Sequence, residues 1–317
     1  MRITRSMTRR RSGAVRLTGA LAAMMLVVAA CGDADDDTEP VDDPDTEDEE
    51  APEATNGLLE ELQEAGVVTV GIANEVPYGF EDEDGNITGQ APEVAREVLA
   101  ELGIDEIEAE IVDFGALIPG LQAGQFDMTA AGMFITRDRA DQVIFADPDY
   151  CVSYAFAVPP GNPEGISDFS DIADSGATLA VLSGAVDEDY AEWSGVPSDQ
   201  VELYGDVNAQ YQDLMAGRVD AVGGTSLTVQ EQVAANEGEM DATDFFFPVG
   251  PDGEELLPCG AFAFLDQEFR DAFNEVMIEK REDGTLGEIT MEFGFAQEDV
   301  ERAQGLTVQD VLDAEPE

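Results

Sequence analysis

Histidine is absent from this 317-residue chain, and lysine occurs only once, at Lys280. Without histidine the chain cannot form a Ser-His-Asp or Cys-His catalytic group, a histidine-ligated metal site or a histidine general base. It also contains neither a P-loop nor a dinucleotide-binding motif, because glycine pairs such as Gly223-Gly224 lack the required spacing. These absences argue against an enzyme, and we expect no catalytic residue, no metal and no cofactor.

Positive charge is scarce as well. The chain has 14 Lys+Arg against 71 Asp+Glu, a formal net charge of −57 at pH 7, and six of the arginines precede residue 17. This balance excludes nucleic acid as a partner, because phosphate binding needs clustered cations. The acids are spread along the chain and resemble the surface of halophile proteins, where salt screens the self-repulsion. A merely acidic secreted protein is the alternative.

The N-terminal segment is typical of an export signal. Its arginines precede an apolar run of eleven residues, 20–30, which is too short to span a bilayer but suits a signal peptide. The run ends in Val28-Ala-Ala-Cys-Gly32, which resembles the lipobox of bacterial lipoproteins. We therefore predict a lipoprotein signal peptide over 1–30 and lipidation at Cys31, with an ordinary secretory signal as the alternative.

An acid-rich segment follows the cysteine. Residues 33–53 contain 13 Asp and Glu and no cation. Self-repulsion and the shortage of apolar side chains predict an acidic, disordered tether over 31–56.

From residue 57 onward, short apolar strands alternate with amphipathic helices, which predicts an α/β fold with mainly parallel sheets. The predicted strands lie near 67–72, 107–112, 126–131, 152–158, 178–182, 200–204, 219–223, 244–248 and 260–265. The predicted helices lie near 91–102, 114–123, 137–142, 187–193, 207–216, 226–235, 266–282 and 285–292. The length of this part suits two lobes.

Arg137 and Arg139 follow an apolar strand directly and are the most informative charges of the chain. In a protein so poor in cations, arginine at such a place predicts an anion site. A planar guanidinium binds a carboxylate with two parallel hydrogen bonds.

Eight motifs together resemble the solute-binding proteins of polar-amino-acid importers, family 3. They are Val67–Ile72, Pro77–Phe80, Gly89–Ala95, Leu117–Asp127, Ile135–Arg139, Phe145–Tyr150, Leu182–Ala185 and Ala216–Val222. The resemblance covers about residues 67–293. It implies a two-lobed α/β fold of the type II periplasmic-binding-protein kind, in which two hinge strands let the lobes close over a ligand.

Carried onto this chain, the resemblance places lobe 1 at 57–150 plus 262–317, and the hinge strands and lobe 2 at 151–261. The hinges fall near 150–154 and 258–262, so Cys151 and Cys259 would lie on neighbouring strands. A disulfide between them is feasible in an oxidising compartment. Two independent buried thiols are the alternative.

The resemblance also implies a ligand site. Arg139 would hold a ligand carboxylate, unless it merely pairs with Asp138 or Asp141 on a helix surface. In α-amino-acid binders a Thr and an Asp receive the ammonium, and these positions read Phe134 and Thr225 here. We therefore expect a ligand that keeps a carboxylate but lacks an ordinary α-ammonium, because an unpaired buried ammonium is costly.

Aromatic side chains could bind a ligand cation in place of the Asp that α-amino-acid binders have at position 225. By the same resemblance, Tyr78, Phe114 and Phe134 fall on pocket positions of the family, and their rings suit a delocalised cation. Glu75 would be the negative partner of that cation. The alternatives are that the rings belong to the core and that Glu75 is a solvated loop acid. Ectoine and hydroxyectoine are zwitterions of this kind. The ectoine/hydroxyectoine-binding branch of the family is also what five stretches of this chain resemble: Ala73–Tyr78, Gly89–Glu93, Phe114–Ile118, Ala131–Phe134 and Gly224–Thr228. The full predicted ligand-binding set is Glu75, Tyr78, Phe114, Gly132, Phe134, Arg139, Ser183, Gly184, Ala185 and Thr225.

We accordingly expect a monomeric, lipid-anchored, extracytoplasmic binding protein that delivers ectoine or hydroxyectoine to the permease subunits of an ABC transporter. A binding protein for a polar amino acid or another zwitterionic osmolyte is the nearest alternative. An enzyme similar to cyclohexadienyl dehydratases is a remote one. A sensor module would call for a transmembrane helix after the domain, and the sequence to Glu317 contains none.

Overall fold

The computed structural model describes residues 57–316. The predicted signal peptide, Cys31 and the acidic tether lie outside the described residues. The helices are α1 Leu58–Ala65, α2 Gln90–Glu101, α3 Leu117–Gln122, α4 Arg137–Ala140, α5 Phe169–Ser175, α6 Asp187–Trp193, α7 Val207–Met215, α8 Ser226–Ala235, α9 Gln267–Glu282, α10 Thr285–Glu292, α11 Gln297–Ala303 and α12 Val308–Ala314. The strands are β1 Val67–Ile72, β2 Phe80–Glu81, β3 Ile87–Thr88, β4 Glu106–Ile111, β5 Met128–Thr129, β6 Met133–Phe134, β7 Ile144–Phe145, β8 Tyr150–Cys151, β9 Tyr154–Val158, β10 Leu179–Leu182, β11 Val201–Tyr204, β12 Ala221–Thr225, β13 Asp241–Ala242, β14 Cys259–Ala261 and β15 Ala263–Phe264.

A parallel sheet with the order β4-β1-β5 organises the first part of the chain. Its central strand β1 is an apolar run, and Val68, Val70 and Ile72 are fully buried. Helix α2 packs into the same core through Val94, Ala95, Val98 and Leu99, which recur at helical spacing. The C-terminal helix α9 covers this core as well, with Phe269, Phe273 and Met277.

A five-stranded sheet with the order β11-β10-β12-β9-β13 organises residues 154–242. Strands β10, β11 and β12 run parallel, and β9 joins β12 in the antiparallel direction. Every residue of β10 is buried, as expected of a parallel strand that is covered on both faces.

A small antiparallel sheet, β6-β14-β8, joins the strand segments on which the hinges are predicted. Cys259 of β14 lies directly opposite Cys151 of β8, and the two form a disulfide. The chain therefore enters and leaves the segment 152–258 through adjacent, covalently joined strands.

The predicted α/β class is confirmed, but two strand predictions need correction. Residues 244–248 form only an isolated bridge, between Phe246 and Tyr154, and Pro248 cannot donate a backbone hydrogen bond to extend it. The strand predicted over 260–265 is divided at Phe262, because β14 pairs with β6 and β8 whereas β15 pairs with β7. Helices α1, α5, α11 and α12 were not among the predicted elements.

Asp149 is a buried acid beside the small sheet. It is 4% exposed, and it accepts a hydrogen bond from Nε2 of Gln90 at 2.5 Å. Burial raises its pKa to about 7, although the hydrogen bond from Gln90 and the charge of Arg281 act in the opposite direction. The native protein therefore holds this proton more tightly than the unfolded chain does.

Asp149→Asn should stabilise the protein in a pH-dependent way. Because the pKa of Asp149 is raised in the folded state, its stabilising contribution is present in acid and declines as the pH rises toward about 7. The difference in unfolding free energy between Asp149→Asn and the wild type should therefore grow in favour of the variant from pH 5 to pH 7 and level off above it. Denaturant titrations at pH 5, 6, 7 and 8 measure this, and a difference that shrinks with pH would contradict the assignment.

Candidate ligand-binding site

A cavity of about 530 Å³, including its opening, is lined by side chains from two parts of the chain, residues 75–139 and residues 154–228. The cavity is lined by Glu75, Tyr78, Phe114, Gly132, Phe134, Arg139, Tyr154, Leu182, Ala185, Val186, Asp187, Val207, Gln210, Tyr211, Gly223, Gly224, Thr225 and Thr228.

Arg139 supplies the positive charge of the cavity and is 8% exposed. Thr136 caps the short helix α4 by accepting a hydrogen bond from the backbone N–H of Arg139 at 3.3 Å. The guanidinium donates from Nη1 to the carbonyl of Phe134 at 2.7 Å and from Nη2 to the carbonyl of Gly184 at 2.9 Å. Its position is therefore set by backbone groups from both parts of the chain.

The charge of Arg139 has no carboxylate ion pair in the described part of the chain. Burial accordingly lowers its pKa, while the charges of Asp189 and Asp187 act in the opposite direction. A guanidinium has five N–H donors, so it can hold a ligand carboxylate in addition to the two carbonyls. Arg137 is exposed and instead donates to the backbone carbonyl of Glu315 at 3.1 Å.

Two carboxyl groups face the cavity. Glu75 accepts a hydrogen bond from the hydroxyl of Thr228 at 2.7 Å, and burial raises its pKa to about 7. Asp187 is 4% exposed, accepts a hydrogen bond from the hydroxyl of Tyr154, and has a pKa raised by burial to about 6. A cationic group in this cavity would have both carboxyls as partners.

Asp187 corrects the sequence argument on charge. That argument found one candidate acid, Glu75, and inferred from Thr225 that the site cannot receive an ammonium. The structure brings a second carboxyl into the same cavity from the first turn of α6. The absence of an acid at position 225 therefore does not by itself exclude an α-ammonium.

Five aromatic side chains line the cavity. Tyr78, Phe134, Tyr154 and Tyr211 are buried, whereas Phe114 is partly exposed. The ring of Phe114 also lies against the protein's own cation, with its centroid 5.4 Å from Cζ of Arg139. The rings give the cavity flat, polarisable walls that suit a planar or delocalised ligand cation.

The structure brings eight of the ten predicted ligand-binding residues to the cavity wall. Ser183 and Gly184 are not among its lining residues, although the carbonyl of Gly184 orients Arg139. Sequence reasoning missed Asp187 and Gln210. Asp187 comes two positions after the predicted residue Ala185, and Gln210 lies on the buried face of α7, so sequence spacing contained a signal for both.

No helix among residues 57–316 combines the length and the hydropathy needed to cross a membrane. The same residues contain no group of three or more Cys, Asp or Glu side chains arranged to hold a metal ion.

Two α/β sheets, adjacent connecting strands and a charged cavity lined from both parts of the chain define a ligand-binding protein of the two-lobed periplasmic type. Residues 68–296 match the sequence model of a protein family, the bacterial extracellular solute-binding proteins, family 3. The chain belongs to this family.

Known proteins agree with this assignment. A probable amino-acid ABC transporter periplasmic-binding protein, y4tE of Sinorhizobium fredii, is 33% identical over 246 residues, which is 76% of this chain and 81% of the relative. The structure is similar to that of EhuB in complex with hydroxyectoine, with a TM-score of 0.73, 33% identity and coverage of 80% of this chain and 97% of that one. An ancestral arginine-binding protein bound to glutamine gives a TM-score of 0.63 at 29% identity, with coverage of 72% and 97%.

Gly132 is a position where the site tolerates no side chain. Its backbone has a φ of +65°, and an added Cβ would lie 2.4 Å from Cδ1 of Tyr78 and 2.6 Å from the hydroxyl oxygen of Tyr150. Gly124 has nearly the same φ, +66°, but no atom within 4 Å of an added Cβ. Alanine substitutions at these two positions therefore distinguish the cost of backbone strain from the cost of steric overlap.

Gly132→Ala should destabilise the protein by about 3 kcal/mol or more, because it adds a steric overlap in a close-packed site to the left-handed backbone penalty. Gly124→Ala should cost only about 1–2 kcal/mol, the backbone penalty alone. Denaturant unfolding of both variants measures the difference. Equal losses would mean that Tyr78 and Tyr150 move aside without cost.

Proposed function

We propose that this chain is the lipid-anchored, extracytoplasmic substrate-binding protein of an ABC importer and that it captures ectoine or hydroxyectoine. It acts by binding and not by catalysis. Its partners are the small zwitterion and the permease subunits of the transporter.

The observation that carries the proposal is the composition of one cavity. Arg139 is buried there with donors left over for a carboxylate, and Glu75 and Asp187 offer negative charge for a cation. Aromatic walls complement these charges. Ectoines combine a carboxylate with a planar cyclic amidinium, so each part of the ligand has a suitable partner.

The similarity to EhuB, whose structure contains hydroxyectoine, supports the choice of ligand. The acid-rich composition suits a saline habitat, in which a compatible solute is a useful nutrient. A polar amino acid is the second candidate. Asp187 provides a carboxyl that could receive an α-ammonium, and the similar ancestral arginine-binding protein holds glutamine.

Contacts that join the proposed lobes, 57–150 plus 262–317 on one side and 151–261 on the other, support capture of the ligand by hinge closure. The hydroxyl of Thr228 reaches Glu75, and Arg139 reaches the carbonyl of Gly184. Both Glu75 and Arg139 also face the cavity, so a ligand that binds them stabilises the same groups that hold the lobes together. Closure and ligand capture are thus coupled through two side chains.

The proposed anchor is a lipid on Cys31, with the acidic residues 31–56 as a tether to the domain. Such an anchor would hold the protein at the outer face of the cell membrane, near the permease. Mass spectrometry of the protein purified from membranes would detect a lipidated Cys31.

Isothermal calorimetry should show that the wild type binds ectoine or hydroxyectoine more tightly than glutamine or arginine. Arg139→Ala should weaken ectoine binding by at least 100-fold, and Arg139→Lys by less, because lysine keeps the charge but loses the paired donors. Arg137→Ala is the matched control and should bind as the wild type does. Tighter binding of glutamine or arginine would replace the ligand proposed here with an amino acid, and native affinity in Arg139→Ala would refute the carboxylate clamp.

Binding should also strengthen as the pH rises from 6 to 8. The pKa of Glu75 is about 7 in the free site, and a bound cation favours its ionised form, so binding releases a proton below this pH. The association constant for ectoine should be about tenfold higher at pH 8 than at pH 6. Glu75→Gln should remove most of this dependence, whereas the exposed control Glu81→Gln should retain it. A wild-type affinity that is constant between pH 6 and 8 would show that Glu75 does not face the ligand cation.

A further inference from the structure

Gln210 is a buried polar residue of the cavity wall that the proposed binding mode does not use. Asp206 caps helix α7 by accepting a hydrogen bond from the backbone N–H of Ala209 at 2.9 Å, and the helix then turns Val207, Gln210 and Tyr211 toward the cavity. Gln210 is 2% exposed. Its Oε1 atom is fully buried and has no hydrogen-bond partner among residues 57–316.

Three other polar side chains of the second half of the wall, Thr225, Thr228 and Asp187, have hydrogen-bond partners within the protein. Thr225 donates to the hydroxyl of Thr228 at 3.2 Å, and Thr228 donates to Glu75 at 2.7 Å. Asp187 accepts from the hydroxyl of Tyr154. A buried amide oxygen without a partner destabilises a protein, so Gln210 differs from its neighbours in needing a partner that the described chain does not supply.

The chemistry of the amide defines that partner. A carboxylate only accepts hydrogen bonds and an amidinium only donates them, and Arg139 and the two acids already match these charged groups. A hydroxyl group both donates and accepts, as a carboxamide does. A hydroxyl therefore pairs with Gln210 whichever way its amide is turned.

We propose that Gln210 is a specificity-determining residue that binds a hydroxyl group on the ring of the ligand. The site would then prefer a hydroxylated cyclic zwitterion to the same molecule without the hydroxyl. This inference rests on the proposed function, because it names which member of the ligand class is favoured. Its physical basis is that the unhydroxylated ligand leaves the buried amide unpaired.

Tyr211, next to Gln210 on α7, also has a hydroxyl in the described cavity wall, and Tyr78 is a second competitor for this role. The hydroxyl oxygen of Tyr78 is also buried without a partner. Tyr78 lies in the first half of the chain, against Tyr150 with ring centroids 5.7 Å apart, whereas Gln210 lies on α7. Separate substitutions can therefore distinguish the two hydrogen-bonding groups.

Calorimetry with hydroxyectoine and ectoine tests the inference on four proteins: the wild type, Gln210→Met, Gln212→Met and Tyr78→Phe. The wild type should bind hydroxyectoine about fivefold more tightly than ectoine, the value of one net hydrogen bond. Gln210→Met keeps an unbranched side chain of similar length, so it should remove this preference, and the two ligands should then bind with affinities within about twofold of each other. Gln212 lies on the same helix but is exposed, and its Met variant should keep the preference.

Three results would overturn the inference while leaving the proposed function intact. They are equal wild-type affinities for the two ligands, an equal loss of both affinities in Gln210→Met, and a preference that disappears in Tyr78→Phe but persists in Gln210→Met. The first result needs no variant, so the inference is testable even if Gln210→Met does not fold. A wild type that binds neither ligand would overturn the proposed function itself, and the inference with it.

Discussion

The burial of Arg139 with no carboxylate ion pair among residues 57–316 is the constraint on which the site depends. A buried guanidinium is stable only if its donors are satisfied, and backbone carbonyls of Phe134 and Gly184 satisfy part of them. These carbonyls come from different parts of the chain, so the charge can be accommodated only when both parts are in place. Arg139 also lines the cavity, so its remaining donors are available to the anionic group of the proposed ligand.

The charges of the other cavity side chains matter as well as the charge of Arg139. One guanidinium faces two carboxyl groups, and the pKa values of Glu75 and Asp187 are raised by burial to about 7 and about 6. The proposed zwitterionic ligand would add one charge of each sign, so the balance would stay unchanged, with the ligand anion at Arg139 and its cation shared by the two carboxyl groups. The hydrogen bonds from Thr225 to Thr228 and from Thr228 to Glu75 hold the carboxyl group of Glu75 in position at the cavity.

Sequence patterns predicted the long elements well because their periodicity reflects burial on one face. Strand β1 and helices α6, α8 and α10 have the predicted bounds, and eight of the residues named from the resemblance to the family line one cavity. Short strands such as β6 and β13 have two residues each and carry no periodic signal. The two-residue distance from Ala185 placed Asp187 near the site, but the hydrogen bond that it accepts from Tyr154 is a tertiary contact that spacing along the chain does not reveal.

The disulfide between Cys151 and Cys259 closes residues 152–258 into a covalent ring. A single backbone cut anywhere within that ring therefore leaves the two fragments attached to each other, whereas a cut outside it releases a piece of the chain unless other contacts hold it. Residues that contribute to the cavity wall from 154 to 228 all lie inside the ring. In a compartment that contains proteases, half of the ligand site is thus retained on the molecule after one cleavage in this segment.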